Sequence, residues 1–469
     1  MSAEADSKPG DAAMLVAASL MLLLAFLSGG DSAHANAGTV AAQLLAIPLL
    51  IVAFVRGVRR GRIRSARWAV LVVLLIVLVP LLQCLPLPAW LWNLPAERAL
   101  LLSDLDAAGV AAVDRRWSLS PAASERSLHF LLPGLALFFC MLALGKGQWR
   151  RMLGLVVGLA LANLMLAVVV AAAGKGSSIN PYPDFAPTLG GIFANKNHQA
   201  GMLALSLIVA FVFMLESWKE FRTGHRSPAP AALWGILALV FLAALPVLGS
   251  RAGVIIAMVM LMGALLASGM LSLEAFRDSR LLQLGSLIVL AVFVIGLQAA
   301  MGWMRTDSTV AGSRQAMTAE TLRIGLQHAP LGAGVGAFKP AFEQDADPAL
   351  LTHNYINNAH DDYAQWWLEA GVAGVSVMLL ALAVLGRVLF ALLAQSTGSG
   401  TRACGMAALM GMGVIALHST VDYPLRTQAL LAAFGVLGGI AVAASTSGTA
   451  HGRRRRHPSQ GQAPEAAKG

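Results

Sequence analysis

The residues able to do chemistry gather in one stretch, from Trp303 to Gly371. It holds Gly312-Ser313-Arg314, the run Pro330-Leu331-Gly332-Ala333-Gly334-Val335-Gly336-Ala337-Phe338, then Ala359-His360-Asp361-Asp362-Tyr363, with Glu369-Ala370-Gly371 behind. Arginine and histidine concentrated in one long loop between apolar runs point to a site for a phosphorylated substrate at a membrane surface. The planar guanidinium forks onto phosphate oxygens, and an imidazole can take a proton from a hydroxyl. His360 is the leading candidate for a general base. Asn358 can cap a helix that carries His360, Tyr363 and Trp367 on one face. Asp361 and Asp362 then fall in its first turn, where the macrodipole alone accounts for two acids. His353 is a rival base without a patterned neighbourhood, and a loop histidine can also be a plain surface residue.

Arg314 is expected to open a loop helix running to about His328, with Ser313 as its N-cap. Arg323 lies nine residues on, which at about 100° per residue is the opposite face. The two arginines are therefore not expected in one site, and Glu320 is the natural partner of Arg323. Arg251 sits between two apolar runs, so its charge lies at or just below an interface, as a phosphate ligand or as a snorkelling anchor. Asn195, Lys196 and Asn197, followed by His198, could bind sugar hydroxyls or phosphate, though capping of the next helix accounts for at least one asparagine. Gly332, Gly334 and Gly336 lack the strand and βαβ unit of a dinucleotide loop; a tight turn that lets backbone approach a ligand or helix is the better account. Asp422 and Tyr423 read as helix-end packing. Paired carboxylates, HExxH, a nucleophile elbow and a Walker loop are all absent.

The elements that must position these residues are apolar and long. Of 469 residues, 57% are hydrophobic and 12% charged, with a mean hydropathy of +0.69. A soluble domain carries about 25% charged residues, so the chain is an all-α polytopic membrane protein. Runs of spanning length fall at 12–29, 38–55, 68–86, 128–145, 152–173, 198–215, 231–249, 252–271, 282–301, 372–393, 404–420 and 427–445, twelve in all. The acidic and basic residues ahead of the first run (Glu4, Asp6, Lys8, Asp11) do not form a basic n-region, which reads as a retained helix and not a cleaved signal. The net charge of +10 does not call for nucleic acid, because the basic residues sit in short connectors and at the C-terminus, as orientation signals and contacts to anionic lipid do. Arg56 to Arg67, Lys146 to Arg151, Lys219 to Arg226, Arg277 with Arg280, Arg402, and Arg453 to Arg456 fall on one side if spans alternate, which places both termini in the cytoplasm. The unusual polar residues then collect on the outer face. Cys84, Cys140 and Cys404 show no metal or disulfide spacing. The chain divides into N-terminal helices with a large outer loop (1–127), central helices (128–301), a catalytic loop bearing short helices (302–371), C-terminal helices (372–445) and a disordered basic tail (446–469).

The order of these pieces resembles the O-antigen ligase and polymerase superfamily of membrane glycosyltransferases, over roughly residues 190–445. The resemblance rests on Gly191-Ile192-Phe193-Ala194-Asn195-Lys196-Asn197-His198, Gly249-Ser250-Arg251-Ala252-Gly253, Gly312-Ser313-Arg314, Pro330-Leu331-Gly332-Ala333-Gly334 and Ala359-His360-Asp361-Asp362-Tyr363 with Glu369 and Gly371, and it ends with His418-Ser419 and Asp422. It implies a GT-C-like helical fold and a metal-independent, inverting transfer needing no cofactor. Arg251 and Arg314 would match diphosphate-binding arginines, and His360 the histidine that activates the acceptor hydroxyl; Asp361 stands where the family often has Asn. The implied donor is an undecaprenyl-diphosphate-linked glycan. The implied acceptor is a saccharide (lipid A–core or a polysaccharide repeat unit), used at the periplasmic face of the bacterial inner membrane, with Asn195, Lys196, Asn197, Asp361 and Tyr363 as possible substrate contacts. Two other readings are a protein O-oligosaccharyltransferase and a lipid-linked sugar transporter or flippase; the apolar runs lack the mid-membrane charges the latter needs. A third is a non-catalytic membrane partner.

Overall fold

A computed structural model describes residues 9–32, 36–110, 114–174, 176–182, 189–268, 308–351, 356–396 and 399–454. Sixteen α-helices lie among the described residues, and no β-strand. They are α1 (Pro9–Ser28), α2 (Ala37–Arg59), α3 (Arg62–Ser65), α4 (Arg67–Gln83), α5 (Ala89–Trp92), α6 (Ala96–Ala107), α7 (Pro121–Ala143), α8 (Lys146–Ala173), α9 (Lys196–Arg222), α10 (Ala229–Val247), α11 (Arg251–Ser268), α12 (Ser308–Gln327), α13 (Phe338–Asp345), α14 (Asp362–Leu393), α15 (Gly400–His418) and α16 (Gln428–Arg454). Ten of these are long and apolar enough to cross a membrane, and α4 is a shorter apolar helix at the expected third span. The expected span 282–301, like His353, lies outside the described residues. The chain is thus an all-helical, multi-pass membrane protein.

Burial separates the core of the bundle from its lipid-facing rim. The apolar stretch of α9 is 83% buried and that of α16 78%, against 22% for α2. Helix α9 packs on α10, α15 and α11, while α16 packs on α7 and α15. Small residues let α16 approach α7: a Cβ on Gly435 would run into the Gly134 carbonyl, and one on Gly439 would lie 2.7 Å from Cβ of Met141. That is how membrane helices gain contact where lipid offers no hydrophobic contrast.

Among the described residues, the basic connectors lie together at one end and are tied down there. Asp11 of α1 pairs with Arg56 and Arg60, Arg60 also donates to the Ala143 carbonyl, and Arg150 pairs with Glu216. Lys219 and Arg402 donate to the carbonyls of Ser268 and Ala267, satisfying the C-terminus of α11. The opposite end carries the N-termini of α9, α11, α14 and α16.

At that end, α12 and α13 enclose a small core of Ile324, Phe338, Phe342 and Leu368. The glycine run between them lies along a break in α14, where Gly371 is non-helical (φ 56°, ψ −145°). Ala333 and Gly334 donate to the carbonyls of Leu368 and Glu369, and Val372 donates back to Pro330. The glycines therefore serve close backbone approach to a helix, the expected alternative to a dinucleotide loop. The loop between α4 and α7 is sewn onto the same run. Arg98, fully buried, donates to the carbonyls of Arg116, Trp117 and Gly332 and stacks on Trp92; burial lowers its pKa to about 10.

Three expectations about helix ends need correction. Helix α12 begins at Ser308, so Ser313 lies inside it and is not the cap of a helix opened by Arg314. Gly312 does not stop that helix, since an interior glycine costs only about 1 kcal/mol. Helix α14 begins at Asp362 and is capped by Asp361, not Asn358, so His360 stands outside the helix. Helix α16 continues to Arg454, past the expected end at 445; of the predicted tail, 455–469 lie outside the described residues.

Candidate functional site

The site is built around Asp422, in the turn between α15 and α16. Its carboxylate is fully buried, takes hydrogen bonds from four groups and has two more basic side chains within about 4 Å. Nδ2 of Asn195 lies 3.1 Å from Oδ2 and Nδ2 of Asn197 2.8 Å from the same oxygen. Nδ1 of His360 lies 3.2 Å from Oδ1, and the Tyr423 backbone N–H donates to Oδ1 at 3.0 Å. Nε2 of His198 stands 3.8 Å from Oδ1, and Nη1 of Arg314 is 4.0 Å from Oδ2. Burial alone would push this carboxyl up. The His360 hydrogen bond and the field of His198, His360 and His418 outweigh it and hold the pKa well below the ordinary carboxylate range.

An ionised Asp422 fixes the tautomer of His360. Nδ1 must carry the proton it donates, which leaves Nε2 as the basic nitrogen of the neutral ring. The ring is 20% exposed, so it is held from behind and open in front. Its backbone is left-handed, with φ 54°, the one positive φ at a non-glycine residue among those described. Such a conformation costs about 1–3 kcal/mol and persists only where its surroundings enforce it. Asp361 enforces it from one side: its Oδ1 accepts from the N–H groups of Tyr363 and Ala364, starting α14 immediately after the histidine. Tyr423 supports the ring itself, with centroids 4.8 Å apart, and packs on His198 at 4.9 Å. Its hydroxyl bonds Ser32 and Asn195, and burial, then the nearby Asp422, pushes its pKa to about 12.

The expected residues divide clearly. Asn195, Asn197, Arg314 and His360 converge on one carboxylate. Asn195 also caps α9 through Oδ1, so both asparagines have partners inside the protein. Lys196 is exposed beside them. Arg251 opens α11, whose first turn touches α9 closely: a Cβ on Gly253 would lie 2.8 Å from Cβ of Ala200. Asp361 has its cap, with a pKa raised by burial, and the Tyr363 hydroxyl donates to the Ala416 carbonyl at 2.8 Å. Arg323 pairs with Glu320 at 2.7 Å, away from Arg314, as the helical phase predicts. Asn358 accepts from Gln365 in place of capping.

The residue that sequence reasoning undervalued is Asp422. Its signal was its isolation, for it is the sole acid between Glu369 and Glu465. His198 and His418 stand beside it, each 1% exposed. Although three histidines gather near one aspartate, no three His, Cys, Asp or Glu side chains among the described residues are placed to hold a metal ion.

Residues 187–379 match the family model described as "O-Antigen ligase". The match takes in Asn195 to His198, Arg251, Arg314, His360 and Glu369, and it ends before Asp422, which joins the site through geometry. No match to a curated protein is found. The matched domain supports an O-antigen ligase-related family and, in general terms, the ligase or polymerase type of function that such a domain carries.

Proposed function

We propose that the protein moves a glycan en bloc from undecaprenyl diphosphate to a saccharide acceptor at the periplasmic face of the inner membrane, in surface polysaccharide or lipopolysaccharide synthesis. The observation that carries this reading is the His360–Asp422 pair, with Arg314 at the same carboxylate, inside a chain with an O-antigen ligase domain. The acceptor hydroxyl gives its proton to Nε2 of His360 as its oxygen attacks the anomeric carbon. The bond from that carbon to the diphosphate breaks, and polyprenyl diphosphate leaves with the electron pair. Attack from the face opposite the leaving group inverts the anomeric centre. A diphosphate leaves without a general acid and the cations supply its charge balance, so the step calls for neither metal nor cofactor.

Arg314 meets Asp422 at one corner only, and its side chain is 36% exposed, which leaves most of its donor fork for phosphate oxygens. Arg251 and Lys196 stand at the same end, among helix N-termini whose partial positive charge favours an anion. The residues 302–371 thus act as the catalytic loop. A transporter would need charge near the middle of the spans; in the described spans, Asp362, Glu369, Glu216 and Lys219 lie towards helix ends.

The test is a deletion strain complemented with wild type, Arg314→Ala or His360→Ala, with lipopolysaccharide and exopolysaccharide run on gels. Core lacking O-chain, with lipid-linked polymer accumulating, identifies a ligase. Single repeat units or lost exopolysaccharide identify a polymerase, and loss of protein-bound glycan alone an oligosaccharyltransferase. Full complementation by both variants at wild-type membrane levels removes the catalytic assignment.

A further inference from the structure

Behind the His360–Asp422 contact lies a second group of charges that the transfer chemistry does not use. Arg426, in the 3-10 turn Pro424–Arg426, reaches back to α14 and holds two carboxylates at once. Its Nε lies 3.3 Å from Oδ1 of Asp362, and Nη1 and Nη2 lie 3.3 and 3.0 Å from the two carboxylate oxygens of Glu369. Glu369 is fully buried, and Asp362 is 7% exposed. Burial would lower the pKa of Arg426, but Glu369 and Asp362 outweigh it and raise it, so the guanidinium stays charged.

The contacts of Asp362 all run to the segment that carries Asp422. Its Oδ2 accepts from the Ser419 hydroxyl at 2.8 Å and from the Leu425 N–H at 3.4 Å, and its own N–H donates to the Ser419 carbonyl at 2.9 Å. Asp362 also stands two residues after His360. Gln365 extends the group to the other side of the histidine: Nε2 donates to Glu369 at 3.0 Å, while Oε1 accepts from the Ala359 N–H at 3.0 Å. The backbone before His360, the backbone after it and the Asp422 turn are therefore fastened to one cluster. Buried ionic groups are a poor source of stability compared with apolar packing, and holding one geometry is a better-supported use for them.

We propose that Asp362, Arg426 and Glu369 form a positioning unit that holds Asp422 against His360 without touching either substrate. The inference rests on the reading of His360 as the base. It requires their effect on the reaction to pass through Asp422.

The test uses purified full-length protein with the polyprenyl-diphosphate-linked glycan isolated from the deletion strain. Turnover and donor KM are measured for wild type, His360→Ala, Asp362→Asn, Asp422→Asn and the Asp362→Asn/Asp422→Asn double variant, with thermal unfolding alongside. Asp362→Asn is expected to lower kcat about 10- to 100-fold, the scale seen for groups that orient the ligands of metal sites, while donor KM holds. The double variant is expected to be no slower than Asp422→Asn alone, since residues acting as a unit are not additive. Ser419→Ala, which removes a single contact, carries the same cycle should Asp362→Asn fail to fold. Multiplicative losses, or wild-type turnover in Asp362→Asn beside a crippled Asp422→Asn, overturn the positioning unit alone. Wild-type turnover in both His360→Ala and Asp422→Asn overturns the base and the unit together.

Discussion

At the scale of single residues, the site is a histidine in a costly backbone conformation, held by the start of α14 on one side and by the turn carrying Asp422 and Tyr423 on the other. Removing the base should cost about 10²-fold or more in turnover, so His360→Ala is expected to bind lipid-linked donor but to transfer at or below a hundredth of the wild-type rate. Equilibrium donor binding and single-turnover transfer on purified protein separate the two. Asp422 gives a second prediction, in pH. Its folded pKa is depressed, so its ionised form contributes stability that is fully present above the unfolded carboxyl value, about 3.9, and is lost as pH falls from there towards the folded value. Asp361, raised by burial, works in the opposite sense and does not supply this loss. Unfolding temperatures in detergent between pH 5 and pH 3 should therefore fall for wild type and fall less for Asp422→Asn. An equal slope in the variant removes Asp422 as the source. His360 and Arg314 were legible in the sequence because each stands out locally. The bond from His360 to Asp422 spans 62 residues, and nothing in the spacing announces it.

At the scale of elements, apolar run length carried the reading, and the errors fell at helix ends. The run 372–393 was visible as a span, and the structure joins it to a preceding segment, 362–370, through the break at Gly371. Competition between nearby cap residues decided the starts: Asp361 outcompetes Asn358 because its carboxylate reaches two N–H groups at once. The break makes a sharp prediction. Gly371 has backbone angles that are nearly glycine-only, and a Cβ there would strike the Pro330 carbonyl and lie 2.8 Å from the Gly332 nitrogen. Gly371→Ala should destabilise by more than the 1–3 kcal/mol typical of such backbone strain and leave little folded protein in membranes. Gly386, in the same helix, has open space where a Cβ would go. Gly386→Ala should be neutral or stabilise by up to about 1 kcal/mol. Size-exclusion profiles and unfolding temperatures of the two variants compare them directly. Similar behaviour would mean the kink is not required.

At the scale of the whole molecule, two kinds of charge occupy opposite ends of one helical bundle. The basic connectors, with Arg56, Arg60, Arg150, Lys219 and Arg402 fixed to carboxylates or carbonyls, form one end. The other gathers Asn195, Arg251, Arg314, His360 and Asp422. The alternation of basic and site-bearing connectors was readable because retention of Lys and Arg on the cytoplasmic side constrains every short loop independently. What was not readable is how the loop between α4 and α7 docks, since that depends on Arg98 donating to carbonyls as far away in sequence as Gly332. Orientation follows as the last prediction. If the basic end is cytoplasmic, a cysteine placed at exposed Ser178, in the connector between α8 and α9, faces the periplasm, whereas one at exposed Thr223, at the far end of α9, does not. In whole cells with the outer membrane permeabilised, a membrane-impermeant maleimide should label Ser178→Cys directly and Thr223→Cys only after the inner membrane is opened. Cys140 and Cys404 are buried and give little background, and Cys84 is replaced with serine first. The reverse pattern would put the site in the cytoplasm. The donor would then have to be used before it is flipped, and the periplasmic transfer reaction would fall even if His360 and Asp422 proved essential.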